Sequence, residues 1–414
     1  MTRASLLAAL VVLLLAVAAP AQAAERPCPG FVNAPSAIVI ETSTGAVACS
    51  RNADERRSIA STTKLMTALL TLENAKLSDT FAAARYFPSS AESRIQLQPG
   101  ERMTVRDLMR GLLVESANDA AVTLAEGVGG SRKAFVRMMN RRAQELKLTN
   151  THYANPIGLD EAGNYSSARD LVKLATVLRT NRFFRTTVDR PVVRLTSGNR
   201  ERVFDNRNDL VKRYRWINGV KSGHTSQAGY VLVGSGRDGR HVQVVSAVLG
   251  TPSVAARDDA TLKLLTWGRN QYQRVTVLKA GEELEQVPIH YRRGAQLSLV
   301  AQHTVRRIVP RGHRDDVTHR LVDVPDEVEG PIVAGQSFGT IEIVYKGRVV
   351  QKQPLVASSS VPGADLEQKA KSWFTGPLPI LLLFGVVAGT VLIATQLRRN
   401  LRDGRRAGGK ARAA

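Results

Sequence analysis

From Pro377 to Leu397 the chain carries no charged residue and includes Leu381-Leu-Leu-Phe384 and Val391-Leu-Ile393. Such a stretch is long enough to cross about 30 Å of hydrocarbon as a helix. It predicts one transmembrane span and leaves the preceding residues to build the globular body. Behind it Arg398, Arg399, Arg402, Arg405, Arg406, Lys410 and Arg412 form a tail that the positive-inside rule places in the cytoplasm. At the other end Arg3, an apolar run from Leu6 to Ala19 and Ala21-Gln-Ala23 have the layout of a secretory signal peptide. The competing reading, an uncleaved anchor, needs a longer apolar run. The boundaries expected at the two ends are 1–23 for the signal, 357–376 for a linker, 377–397 for the anchor and 398–414 for a basic cytoplasmic tail. Residues 24–375 are thus expected on the extracytoplasmic, or periplasmic, face of the cytoplasmic membrane. The basic end argues against a GPI-type tail.

With 414 residues the chain has room for two domains and a well-buried core. The formal net charge of +22 would suit nucleic acid, but the export signal excludes that partner. Anionic wall polymers and lipid headgroups are the expected neighbours. Cys28 and Cys49 are the only cysteines. Outside the cytoplasm they admit either a disulfide closing the N-terminal segment onto the first hairpin or two unpaired thiols.

Ala37–Thr42 and Gly45–Cys49 flank Ser43-Thr44 and predict a β-hairpin. Leu65, Met66, Leu69, Leu70 and Leu72 recur at helical spacing, which puts Ser61 at the start of a largely buried helix. Further helices are expected over 105–113, 119–126, 131–146 and 168–178. Strands follow over 229–234 and 242–249, then a helix over 256–272. The turn Gly234-Ser-Gly-Arg-Asp-Gly239 formally matches a dinucleotide fingerprint, but it leads into a strand where that fingerprint needs a helix. From about Val275 to Val356 short alternating runs such as Ile341–Tyr345 argue for a small all-β module.

Three motifs carry the chemistry: Ser61-Thr-Thr-Lys64, Ser116-Ala-Asn118 and Lys221-Ser-Gly223. Ser-x-x-Lys alone is uninformative, since average usage yields on the order of one or two matches by chance. The order and combination carry the weight. A serine hydroxyl needs a base within hydrogen-bond reach, and positions i and i+3 share a helix face, so Ser61 and Lys64 can meet. Lys64 serves as that base only if burial and a second cation, for which Lys221 is available, depress its pKa. Ser116 is placed to relay a proton to the leaving amine, and Asn118 to hold the substrate backbone. Lys221-Ser-Gly223 is read as lying just before a strand, with Ser222 available to a carboxylate and Gly223 letting substrate approach the sheet edge.

Ser-x-x-Lys, Ser-Asp-Asn and Lys-Thr-Gly characterise class A β-lactamases and penicillin-binding proteins, and this chain varies the last two while keeping hydroxyl, amide and ammonium. Supporting segments are Ala60–Thr67, Glu115–Ala121, Gly158-Leu-Asp160, Tyr165–Asp170, Asn206-Arg-Asn208, Gly219–Thr225 and Ala228-Gly-Tyr230. With these, residues 35 to 356 resemble the low-molecular-mass D-alanyl-D-alanine carboxypeptidases, the peptidase S11 family. The resemblance implies an α/β (α+β) fold: a serine β-lactamase/transpeptidase-like domain with an antiparallel sheet and helical cluster over 24–275, then a small all-β domain over 276–356. It implies Ser61 as nucleophile, Lys64 as base, Ser116 and Lys221 in proton transfer, and an oxyanion hole from the N–H groups of Ser61 and His224. Ser222, Thr225 and Arg207 would engage the terminal D-Ala carboxylate. Peptidoglycan stem peptides are the implied substrates and β-lactams the implied covalent inhibitors, with no cofactor and no metal. Family anchors are often amphipathic, so the longer apolar span is a departure, as is Ile59 where proline is usual.

His224 is expected to act through its backbone and His152 to be structural. His303, His313 and His319 lack metal-site spacing. Asp119 reads as a local cap or partner and Glu115 as a solvated charge. Class A β-lactamases deacylate with a glutamate, and no segment clearly supplies one, which favours a carboxypeptidase. A D,D-endopeptidase acting on cross-links, or a low-turnover penicillin-binding sensor or tether, are the alternatives.

Overall fold

The computed structural model describes residues 25–239, 241–375 and 377–410. The expected signal peptide over 1–23 and Arg412 of the basic tail lie outside the described residues. The chain divides into two compact units, one ending at Gln273 and one beginning at Arg274.

In the first unit Ser36–Glu41 (β1) and Val47–Arg51 (β2) form the expected hairpin, with Val39 opposite Cys49. Cys28 and Cys49 are joined in a disulfide, which decides the question left open by the sequence. A 3-10 turn over Ala60–Thr63 carries Ser61 into Lys64–Asn74 (α1), whose first eight residues are all buried. Thr80–Ala82 (β3) pairs with Arg102–Thr104 (β4). Val105–Arg110 (α2) continues into a wider π turn over Gly111–Glu115, and Ser116 then turns left-handed, with φ 67°, before Asn118–Gly129 (α3). Arg132–Glu145 (α4) and Ala168–Leu178 (α5) match the remaining helical patterns.

Arg182–Val188 (α6), the hairpin Val192–Leu195 (β5) and Arg202–Asp205 (β6), and Asp209–Arg213 (α7) have no counterpart in the sequence reading. Each is short and interspersed with arginine, so none shows a sustained apolar period. Ile217–Thr225 (β7), Gly229–Arg237 (β8), Gln243–Thr251 (β9) and Val254–Asn270 (α8) close the unit. Lys221-Ser-Gly223 therefore lies within a strand and not before one. Its lysine, serine and glycine supply none of the branched apolar residues by which a strand announces itself. The dinucleotide-like glycines fall on β8 and its turn to β9, between antiparallel strands.

The sheet runs β2-β1-β9-β8-β7 and is antiparallel throughout. Alternate side chains separate its two faces. Ile38, Val231, Val233, Val245 and Ala247 enter the core shared with α1, α3 and α5. A Cβ at Gly234 would meet Thr261 at 2.7 Å and one at Gly268 would meet Val39 at 2.7 Å, so α8 lies close on the opposite face. Helices thus cover both sides, and β7 is the edge strand against which the Ser61 turn rests.

In the second unit Tyr272–Leu278 (β10), which crosses the boundary, leads to Glu283–Pro288 (β11), Gln296–Ala301 (β12), Val305–Pro310 (β13), Val317–Val322 (β14), Ser337–Tyr345 (β15) and Arg348–Ala357 (β16). One sheet runs β11-β12-β16-β15-β14 and β10 pairs with β13, around a core of Leu278, Leu297, Leu299, Ile341, Ile343 and Leu355. The expected linker is partly helical, over Leu366–Thr375 (α9), because its charged half holds no proline or glycine. Pro377–Lys410 (α10) is one helix through the apolar stretch and into the basic tail. By length and composition Leu381–Asn400 suits a membrane span, and none of it is covered by protein.

Candidate active site

Ser61 stands on a turn that is held from several sides. Ala60 takes a left-handed backbone, φ 46°, and the Thr62 hydroxyl donates to Ile59 O at 2.6 Å. Gly158 packs so closely beneath that a Cβ there would sit 1.9 Å from Ala60 O. Only glycine permits that approach, which also uses φ +90°. Gly223 of β7 lies on the other side, where a Cβ would meet Ser61 N at 2.7 Å.

Lys64 is fully buried and donates from Nζ to Ser61 Oγ at 2.9 Å and to Ile157 O at 2.7 Å. Burial, reinforced by the positive charge of Lys221, holds its amine well below the usual lysine range. Lys221 is also buried, donates to Ser222 O at 3.0 Å and is pushed down to about 7 by burial and by Arg207. Two adjacent buried lysines and the serine contact make a base of Lys64 physically accessible at neutral pH.

A cleft of about 630 Å³ opens over this turn, lined among others by Ser61, Ser116, Arg207, Ser222, Gly223 and His224. Lys64, Lys221 and Asn118 are buried and do not line it. Thr225 does not line it either, and its hydroxyl donates to Asp160 at 2.7 Å. The His224 ring stacks on Tyr230 with centroids 4.0 Å apart. His152 Nδ1 lies 2.6 Å from Gly163 O, away from the cleft lining.

Arg207 is fixed by its neighbours in sequence. Asn206 Nδ2 donates to Arg190 O at 2.8 Å and Asn208 Nδ2 to Gly219 O at 3.0 Å, which ties the segment to β7. Its guanidinium pairs with Glu115, Nε to Oε2 at 3.1 Å and Nη2 to Oε1 at 2.5 Å. Glu115 is thus a buried partner and not a solvated charge: the π turn directs it inward, where only a cation makes it tolerable. Asp119 keeps its expected local contact, accepting the Ala120 N–H at 2.9 Å, and also reaches further. It accepts the N–H groups of Ile95 and Leu97, both at 3.0 Å, and so fastens the β3–β4 connection to α3.

Sequence reasoning missed Glu92. Asn118 Nδ2 donates to its Oε2 at 2.7 Å, and Lys64 lies within its field. No motif marks it, because the connection between β3 and β4 has no periodicity and the contact spans 26 residues.

The family model described as D-alanyl-D-alanine carboxypeptidase, Peptidase S11, matches residues 21–253. The model described as penicillin-binding protein 5, C-terminal domain, matches residues 272–363. The D-alanyl-D-alanine carboxypeptidase DacF of Bacillus subtilis is 32% identical over 80% of this chain and 87% of its own length. DacA of Escherichia coli is 33% identical over 80% of this chain and 84% of its own. The crystal structure of penicillin binding protein 5 from Haemophilus influenzae superposes with a TM-score of 0.58 at 29% identity, covering 81% of this chain and 99% of that one. Arrangement, family model and relatives agree, and the chain belongs to the D-alanyl-D-alanine carboxypeptidases of the peptidase S11 family.

Proposed function

We propose that this protein removes the terminal D-Ala from peptidoglycan pentapeptide stems through a Ser61 acyl-enzyme, and that penicillins acylate the same serine. The observation that carries the reading is the 2.9 Å contact between Ser61 Oγ and the buried Lys64 amine at the floor of the cleft. With Lys64 neutral, that contact carries the serine proton to Nζ as Oγ attacks the carbonyl of the penultimate D-Ala. The N–H groups of Ser61 and His224 take the oxyanion, which the close approach of Gly223 to Ser61 N supports. Collapse breaks the C–N bond, and the leaving amine receives a proton through Ser116, with Lys221 assigned to the same proton transfer. Water then hydrolyses the ester and restores Ser61. Trimming the donor stem in this way limits cross-linking.

The departing D-Ala carboxylate is assigned to Arg207, Ser222 and Thr225. Glu115 occupies the Nε/Nη2 edge of Arg207 and leaves the Nη1/Nη2 edge to substrate. Thr225 contributes by exchanging Asp160 for the ligand. Asn118 holds the substrate backbone. Catalysis is assigned to residues 24–275, with 276–356 as a non-catalytic β domain. The body is placed on the extracytoplasmic face, supported by the export-type N-terminus and the basic residues that follow the apolar stretch of α10.

Mass spectrometry of a pentapeptide stem and a cross-linked dimer, each incubated with the protein or its Ser61→Ala variant, tests this. Loss of one D-Ala from the pentapeptide is expected only with Ser61 present. Dimer cleavage without pentapeptide trimming would replace the reading with an endopeptidase, and no product from either would replace it with a sensor.

A further inference from the structure

Glu92 sits in the β3–β4 connection with both carboxylate oxygens occupied. Oε2 accepts the Asn118 side-chain N–H at 2.7 Å and the Tyr86 hydroxyl, and Oε1 accepts the Ser89 N–H at 2.9 Å. The next residue, Ser93, takes the Asn118 backbone N–H at 2.8 Å and lines the cleft. Tyr86 lies under the Arg132 guanidinium, 5.6 Å from the ring centroid, and Arg132 pairs with Glu126 at 2.8 Å. This connection is therefore stitched at two successive residues to the start of α3, where the second motif ends.

A primary amide offers a donor side and an acceptor side of nearly equal shape. A carboxylate only accepts, so it selects Nδ2 of Asn118 and turns Oδ1 the other way. An amide fixed before substrate arrives costs no reorganisation when the peptide binds.

We propose that Glu92 is a positioning residue for acyl transfer, holding the Asn118 amide in the orientation that meets the substrate backbone. The proposal rests on the roles given above to Ser61, Lys64 and Asn118. Donors from Tyr86, Asn118 and Ser89 already engage both oxygens of the Glu92 carboxylate, so it is assigned no role as a base toward water. Burial alone would raise its pKa, but the Tyr86, Asn118 and Ser89 donors outweigh that and keep it ionised at neutral pH. The charges acting on Lys64 are Lys221 against, and Glu92 and Asp119 in favour of, its protonated form. Asp119 is committed to the Ile95 and Leu97 amides, and Glu92 faces Tyr86, Ser89 and Asn118. Removing the Glu92 charge therefore lets Lys64 stay neutral to lower pH.

The test uses the full chain in neutral detergent, with penicillin acylation and D-Ala release followed across pH for wild type, Glu92→Ala, Glu92→Gln and Ser61→Ala. Glu92→Ala is expected to lower both second-order rates roughly 10- to 100-fold, the loss of a charge-assisted hydrogen bond. Glu92→Gln keeps an acceptor oxygen and is expected to restore most of that rate, while both variants move the acid limb to lower pH. A Glu92→Ala rate within about twofold of wild type overturns the proposal, as does a glutamine variant no better than alanine. If the alanine variant does not fold, an unmoved acid limb in Glu92→Gln overturns it alone. Labelling retained by Ser61→Ala would instead sink the assignment of the nucleophile on which the proposal rests.

Discussion

The side chains that decide the chemistry here are lysines which burial has made unlike ordinary lysines. Lys64 must be neutral to act as a base, and the positive charge of Lys221 helps keep it so. Replacing Lys221 with methionine removes that repulsion, so the pKa of Lys64 rises and the acid limb of penicillin acylation is expected to move to higher pH. A limb that stays put would mean that Lys221 does not act on Lys64. The same substitution makes a prediction about stability. Lys221 has its folded pKa depressed to about 7 by burial and Arg207, against an unfolded value of about 10.4. Between these values the unfolded chain binds more protons, so stability rises with pH across that window and falls as pH drops toward 7. Urea unfolding at pH 7 and pH 9.5 is expected to show a gain at the higher pH that is smaller in Lys221→Met, where the buried Lys64 still contributes its own share. The types of these residues were legible in the sequence, since Ser-x-x-Lys and Lys-Ser-Gly name both lysines. The partners that tune them were not: Glu92 reaches Asn118, and Glu115 reaches Arg207, across 26 and 92 residues with no spacing rule connecting them.

At the level of elements, the edge strand β7 does most to bring the motifs together. It carries Lys221, Ser222 and Gly223 past the Ser61 turn, and Gly223 packs directly against that turn. A methyl group there would meet Ser61 N at 2.7 Å and Ala60 Cβ at 3.0 Å, and backbone cannot yield as the end of a flexible side chain would. Gly223→Ala is therefore expected to displace one oxyanion donor and lower acylation by roughly 100-fold or more, with the fold retained. Stopped-flow acylation with circular dichroism would check it, and near-normal acylation would mean that the turn accommodates the methyl. Long periodic elements such as α4, α5 and β9 could be read from the sequence to within a residue or two. The edge strand could not, because its centre holds lysine, serine and glycine, which do not announce a strand. Pairing of the cysteines was equally undecided, since spacing gives no distance. In the fold Pro27 bridges Ser50 beside β2, which brings Cys28 alongside Cys49. With a sequence separation of 21 the disulfide is expected to contribute about 3 kcal/mol. Cys28→Ser with Cys49→Ser should lower the melting temperature by several degrees while leaving penicillin labelling intact.

Across the whole molecule, composition divides the chain more sharply than any motif. The mixed helix-and-strand unit, the all-β unit and the long apolar helix are each visible as a change in hydrophobic period. Details at the joins were not, because the helical part of the linker is charged and has no apolar repeat to announce it. The apolar helix makes the strongest prediction at this scale. Leu382, Phe384, Val387, Leu392 and Ile393 are all exposed, although a water-soluble chain would cover such a continuous surface. Leu381–Asn400 has a mean hydropathy of 1.8 in its most apolar window, enough to partition into hydrocarbon. A chain ending at Thr375 is expected to move from the membrane fraction to the soluble fraction and to keep its D-Ala-releasing activity, since no residue assigned to the site lies beyond Thr225. The proposed orientation makes a prediction of its own: with Arg398 and Arg399 at the cytoplasmic end of the apolar stretch, as the positive-inside rule has it, the catalytic unit is expected on the opposite face. A membrane-impermeant fluorescent penicillin added to intact spheroplasts should therefore label the full-length protein as completely as it labels lysed cells. Labelling only after lysis would reverse the orientation, and a chain ending at Thr375 that stays in the membrane fraction would move the anchor elsewhere.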